Sequence, residues 1–453
     1  MFFVSSWLKF NLLIFKQSIY CKIIVFAKLP FRGWGLICIF AASMEYNVHT
    51  LKNGIRILHV PTASAISHAC ILVNAGSRDE EDAQMGLAHF IEHLIFKRTE
   101  KRNTTQILNR LESVGADLNA YTTKEYTCIH ASFLRPYLDR TLELFNDIVF
   151  HSTFPVDEIE KEKGVVLDEI ASYLDQPEEA INDDFEDILF RGHQFGRNIL
   201  GTPETVSRLS KKDIQSFIKS KYRTDQMVIA VLGNYSLNKL VKIGEKYFAE
   251  VPGNTNASPR IVPPINSSSH QIVDKQIAQS HCMMGTQTYS LHHPYKTGLL
   301  LLNNLFGGNG MSSVLNLQLR EKYGIAYTIE SAYSPLSDTG IFAIYFGTDK
   351  EKAEKAMQLI RKEMNKLKQK PLTEIQLHKA QNKFIGQIAL GEENRIGLII
   401  AMAKSLLDYN QIDSLEAVFQ KIRQVSVLDM NNIIHDVFDE SKWTSLLFNP
   451  TEG

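Results

Sequence analysis

The chain has 453 residues, 44% hydrophobic and 22% charged, an ordinary globular balance with room for roughly two to four compact units. A net charge of −1 provides no strong field for gathering nucleic acid or an anionic membrane surface. Five scattered cysteines (Cys21, Cys38, Cys70, Cys128, Cys282) lack any C-x-x-C pairing, which excludes a disulfide framework and a cysteine-zinc site.

Residues 1–43 differ from the rest: basic, rich in Phe, Ile and Leu, and without Asp or Glu. Lys28, Pro30 and Arg32 interrupt any apolar run near the ~20 residues that a membrane span requires. A targeting peptide and an upstream extension remain as readings. The extension is preferred, because Met44-Glu45-Tyr46 leads straight into a strand-like segment. Translation from Met44 implies a cytoplasmic protein, whereas a retained leader implies an organelle or envelope protein. The folded part is expected to carry no membrane span.

From Val48 the pattern is strand, turn, strand, with Asn53-Gly54 at a hairpin position. Ile66–Asn74 is a second strand, followed by Gly86-Leu87-Ala88-His89-Phe90-Ile91-Glu92-His93-Leu94. His89 and His93 stack one helical turn apart, and Glu92 lies close to the same face. Two imidazoles so held can grip one zinc ion, and H-x-x-E-H is the inverted form of the H-E-x-x-H metallopeptidase signature. The bland alternative is a buried helix whose histidines bond to backbone. A catalytic zinc needs a third protein ligand, so the chain must offer one.

A helix over Thr104–Val114 closes at Gly115, and two strands follow, Leu118–Thr122 and Tyr126–Ala131. Helices dominate from there to Lys221, and Gln226–Gly233 is another strand. Within the helical stretch, Ile159, Val166 and Ile170 keep one face of a helix that starts at Pro155. Glu162 and Glu169 lie two turns apart on it, so one carboxylate could complete a His₂Glu zinc site and the other fix a ligand histidine. Taken alone, this acidic helix reads as a solvated one.

Residues 251–269 hold Pro252-Gly253, Pro263-Pro264 and Ser267-Ser268-Ser269, a polar linker. Beyond it Ser280-His281-Cys282 echoes Ser67-His68-Ala69 at an offset of 213. The same offset places Leu302, Leu305 and Phe306 where the first half has His89, Glu92 and His93. The pattern points to a duplication in which one half keeps the metal and the other is a structural copy. The expected class is α+β: two homologous sandwich-like domains, 44–250 and 270–453, each a mostly antiparallel sheet packed on helices.

Gly86–Arg98, Glu162 and Glu169, together with Leu118–Thr122, Asn198-Ile199-Leu200-Gly201 and Gly307–Ser313, resemble the pitrilysin-type inverted zincins. That group includes the insulin-degrading enzymes and the catalytic subunit of the mitochondrial processing peptidases. The resemblance runs roughly from Tyr46 to the end. It implies one zinc per chain on His89, His93 and Glu169, with Glu92 as general base toward zinc-bound water and Glu162 behind a ligand. It implies that Arg320 and Tyr327, seven residues apart, contact substrate and oxyanion, reaching the zinc of a partner chain. Asn119 and Ala120 match positions where an edge strand binds substrate backbone, although on composition an inner strand fits as well.

The expected protein is therefore a zinc metalloendopeptidase for short or unfolded peptides. A homodimer is the simplest assembly, or a heterodimer with a related subunit. The alternative is a non-catalytic scaffold of the same fold, which usually lacks a ligand or the glutamate. A purely structural zinc is disfavoured, because such sites close all four positions with Cys or His.

Overall fold

The computed structural model describes residues 45–255, 259–308 and 310–451, so the segment 1–43 lies outside the described residues. The first half contains β1 (Asn47–Thr50), β2 (Arg56–Pro61), β3 (Ile66–Val73), α1 (Leu87–Leu94), α2 (Thr104–Glu112), β4 (Asp117–Thr122) and β5 (Thr127–Leu134). It continues with α3 (Leu138–Phe150), α4 (Val156–Leu174), α5 (Pro177–Leu189), α6 (Pro203–Arg208), α7 (Lys211–Lys221), β6 (Met227–Gly233) and α8 (Leu237–Phe248). The second half contains β7 (His270–Lys275), β8 (Ser280–Thr288), α9 (Lys296–Phe306), β9 (Ala326–Pro335), β10 (Gly340–Thr348) and α10 (Ala353–Gln369). After these come α11 (Glu374–Gly391), α12 (Arg395–Tyr409), α13 (Leu415–Arg423), α14 (Val427–Val437) and β11 (Thr444–Pro450).

Two sheets result, ordered β1-β2-β6-β3-β5-β4 and β7-β11-β8-β10-β9. Without β1 the two orders are the same walk, including one parallel pair each, β2 with β6 and β7 with β11. The remaining pairs are antiparallel. This is the duplicated α+β plan expected from the sequence. Ser67 and Ser280 occupy corresponding strands, β3 and β8, and Leu302 and Phe306 fall in α9.

Alternation along the strands gives each sheet two apolar faces. In the first sheet Ala69, Ile71, Ala120, Ile129 and Ile229 pack with α1, whose Leu87, Phe90, Ile91 and Leu94 are buried. The opposite face, with Cys70, Leu72, Cys128, Val228 and Ala230, is covered by a helix from the second half. That helix is α12, through Ile399, Ile400, Met402, Ala403, Leu406 and Leu407. The second sheet receives the reverse gift: α5 of the first half packs on β8 and β11, near Met283, Leu446 and Phe448. Each buried side chain of this size contributes about 1.5–3 kcal/mol, so the exchange binds the halves firmly.

The polar stretch between the sheets is less free than its composition suggests. Arg260 donates to Asp79 at 2.8 and 3.0 Å and to the Glu125 carbonyl at 2.7 Å. Arg78 bridges Glu125 at 2.7 Å and Asp338 of the β9–β10 turn at 2.8 Å, and also donates to the Ile261 carbonyl at 2.8 Å. Its guanidinium lies over the Phe195 ring, 4.0 Å from the centroid. Burial opposes the charge on Glu125, but Arg260, Ser337 and Arg78 outweigh it and hold its carboxyl below the usual range.

Candidate metal centre

The helix α1 carries the site, and its sequence explains its seat. Phe90, Ile91 and Leu94 anchor it to the sheet, leaving His89, Glu92 and His93 on the side toward α4 and β4. Gly86 begins it with φ +92°, a left-handed conformation that favours glycine. A Cβ there would stand 2.5 Å from the Leu200 carbonyl oxygen, which accounts for the Asn198–Gly201 segment as a backbone surface for the helix start.

Glu169 comes from α4, two turns beyond Glu162, with Ile159, Val166 and Ile170 buried below it. His89 Nε2 and His93 Nε2 are 3.2 Å apart. Glu169 Oε2 is 3.7 Å from the first and 3.4 Å from the second. A tetrahedral site with zinc–nitrogen distances of about 2.0–2.1 Å has edges of roughly 3.3–3.4 Å. The donor triangle therefore has the size of one tetrahedron face, and two nitrogens with one oxygen are a donor set that could hold a zinc ion. Among the described residues this is the one His/Cys/Asp/Glu group with such spacing.

Electrostatics supports the same assignment. Burial keeps His89 neutral, depressing its imidazole to about 3. Burial also works against charge on His93, but hydrogen bonds to Glu162 and Glu169 outweigh it and raise the ring to about 9. The carboxylates of Glu162 and Glu169 thus favour positive charge at this place. Glu162 Oε1 receives His93 Nδ1 at 2.8 Å, and Glu162 Oε2 pairs with Lys97 Nζ at 2.6 Å. His89 Nδ1 is buried without a hydrogen-bond partner among the described residues.

Glu92 lies beside this triangle and accepts a hydrogen bond from the Thr122 hydroxyl at 2.7 Å. Burial, opposed by His93 and the Thr122 bond, leaves its carboxyl raised to about 7. His89, Glu92, His93 and Glu169 all open into a cavity of about 1650 Å³. Asn119 and Ala120 line it from β4, which is an edge strand, and Glu392, Arg395 and Ile400 line it from the second half.

Arg320 and Tyr327 are not brought to this site. Arg320 sits exposed in a π-helical segment, Asn316–Lys322. Tyr327 is 62% exposed on β9, the edge of the second sheet, and neither residue lines the cavity. Sequence reasoning missed Lys97 and Thr122. Lys97 stands four residues after His93, a spacing that could have flagged it. Thr122 ends the very strand that carries Asn119.

Comparison with known proteins agrees with the geometry. Residues 57–203 match the family described as insulinase (peptidase family M16), and residues 208–384 match the peptidase M16 inactive domain. An uncharacterised zinc protease of Mycobacterium leprae is 32% identical over 404 residues, covering 88% of this chain and 90% of that protein. The uncharacterised zinc protease YmxG of Bacillus subtilis is 29% identical over 401 residues, covering 88% and 97%. Among solved structures, a protease from Helicobacter pylori superposes with TM-score 0.83 at 24% identity, over 90% of this chain and all of that one. A peptidase M16 inactive domain from Pseudomonas fluorescens gives TM-score 0.82 at 19% identity, over 90% and 99%. These last two likenesses concern the fold.

Proposed function

The chain belongs to peptidase family M16, the insulinase family, and from that premise we propose that it is a zinc endopeptidase with Glu92 as general base. The observation that carries this reading is the donor triangle of His89, His93 and Glu169, sized for one tetrahedral ion, with Glu92 beside it. A zinc ion held by His89, His93 and Glu169 would supply Lewis acidity toward water and a peptide carbonyl.

The remaining work falls to this chain's side chains. Glu92, raised to about 7, is matched to taking a proton from water near neutral pH and returning it to the leaving amine. The Thr122 hydroxyl holds the carboxylate in place for that transfer. Glu162 fixes the ring of His93 through Nδ1, so its Nε2 faces inward. A peptide added along the edge of β4 would lie beside Asn119 and Ala120 with its backbone toward the strand. Such backbone pairing requires an extended segment, which favours short or unfolded peptides as substrates.

Arg320 and Tyr327 enter this reading through a second chain. Both are exposed and away from the cavity of their own chain. A homodimer, in which each β9 edge approaches the other chain's centre, gives them the oxyanion-facing role that the family resemblance implies.

The test is hydrolysis of a quenched fluorescent peptide by protein beginning at Met44, with and without a zinc chelator, beside Glu92→Gln. Chelator-sensitive cleavage is expected, with Glu92→Gln keeping its zinc and losing turnover by about 10²–10⁴-fold. Full activity in that variant removes Glu92 from the role of base. Bound zinc with no cleavage by the wild type would favour the scaffold reading or a missing partner subunit.

A further inference from the structure

The segment Gly76–Glu80 touches both structures that must be aligned at the proposed site. At its far end Glu80 is buried, and its carboxylate reaches the start of α1: Oε2 accepts from the Gly86 amide at 2.9 Å and Oε1 from the Ala88 amide at 2.7 Å. Ala88 immediately precedes His89. At its near end, the Ser77 amide donates to the Thr123 carbonyl at 3.1 Å and the Arg78 amide to the Lys124 carbonyl at 2.9 Å. Gly76 is so close to that turn that a Cβ would meet the Thr123 oxygen at 2.4 Å. Thr123 follows Thr122, whose hydroxyl holds Glu92.

These contacts close a circuit that runs from α1 through Glu92 to Thr122, along the β4–β5 turn to Ser77, and through Glu80 back to Ala88. We infer that Glu80 is a positioning residue of the peptidase site, setting the zinc helix against the substrate-facing edge strand. The inference rests on the zinc-peptidase reading above.

Three physical points support it. Helix α1 spans only Leu87–Leu94, a length that is marginal without external contacts. Its N-cap is Gly86, which has no side chain with which to satisfy the free amides of the first turn. Glu80 takes over that task from outside: burial raises its carboxyl to about 8, while the Ala88 and Gly86 amides, Arg197 and Lys124 favour its charged form, and both oxygens accept at the positive end of the helix. The two ligand histidines are thus secured differently. His93, in the second turn, is held by Glu162, whereas His89, in the first, depends on the turn that Glu80 ties down. Loosening Glu80 should therefore disturb His89 while His93 stays in place.

The test compares wild type with Glu80→Gln and Glu80→Asp, using zinc affinity by competition with a chromogenic chelator, and kcat and KM on a fluorescent peptide. Glu363→Gln serves as control, a buried carboxylate on α10 in the second half. Glu80→Gln places an NH₂ group against a backbone amide, and zinc should bind about 10–100-fold more weakly. At saturating zinc, kcat should fall about tenfold or more with KM within about twofold, because the edge strand itself is intact. Glu80→Asp, one methylene shorter, reaches one amide and should recover part of the loss. Glu363→Gln should leave zinc affinity and kcat unchanged.

Wild-type zinc affinity and kcat in Glu80→Gln would overturn the inference and leave the peptidase reading standing. A wild type that neither binds zinc nor cleaves would overturn both. Should Glu80→Gln not accumulate as folded protein, Glu80→Asp decides by the same two readouts.

Discussion

Thr122 and Glu92 meet across 2.7 Å, the hydroxyl donating to the carboxylate, and in that contact the edge strand touches the helix of the candidate centre. The bond favours the charged form of Glu92 against the burial that raises its carboxyl to about 7. Thr122→Val removes the donor, so the carboxyl should rise further. A hydrogen bond to a charged group contributes about 1.5–3 kcal/mol, equivalent to roughly one to two pH units. The acid limb of kcat/KM should move to higher pH by about that amount. A pH–rate profile checks it, and an unmoved limb would detach Thr122 from the base.

Glu162 and His93 suggest a second measurement. The 2.8 Å bond to Nδ1 orients the ring, and Lys97 at 2.6 Å steadies the carboxylate. Glu162→Ala should weaken zinc binding by about 10–100-fold with little effect on folding. Competition against a chelator of known affinity measures it. Lys97→Met should give a smaller loss in the same direction, because Glu162 keeps its bond to His93.

The pH dependence of zinc uptake has a definite sign. His93 is raised to about 9 in the metal-free site, because Glu162 and Glu169 outweigh the cost of burial, while His89 is depressed to about 3. Between these values one ligand ring is neutral and the other protonated, so zinc must displace the proton on His93. Apparent affinity should then rise up to about tenfold per pH unit below 9 and level off above it. Titration calorimetry in two buffers of different ionisation enthalpy should register roughly one to two protons released per zinc at neutral pH, one from His93 and a part from Glu92.

The placement of Arg320 and Tyr327 allows a complementation test. Glu92→Gln and Tyr327→Phe each disable a different component, and in a single chain these components are not together. In the dimer proposed above, mixing the two inactive variants creates mixed dimers with one site that has both wild-type groups. Activity well above either variant alone is the expected outcome. A mixture as inactive as its components, despite subunit exchange verified by differently tagged chains, would remove the pair from the partner's site.

The sequence disclosed the centre unevenly, for physical reasons. His89, Glu92 and His93 were legible because helical spacing alone puts them on one side, and the structure places them there. Glu169 lies 76 residues beyond His93, and no period links it to α1. Only the family resemblance singled it out from an otherwise acidic helix. The strands and turns of the first half follow local patterning, with α2 ending at Glu112, two residues earlier than expected. The exchanged helix α12 could not be read at all. Its Ile399, Ile400, Ala403 and Leu406 announce burial, but an apolar stripe does not say which sheet will cover it. Glu80 was equally silent, as an acid among the acids of Asp79, Glu81 and Asp82.

The reciprocal seating of α5 on the second sheet and α12 on the first makes the two halves hostages of each other. A gene divided within residues 251–269 would encode two fragments, each missing the helix that shields one of its sheets. Either fragment alone would display a broad oily sheet face and precipitate or recruit chaperones. Produced together, the fragments could restore both covers at once. A protein built from two similar pieces should thus yield pieces that do not stay folded apart.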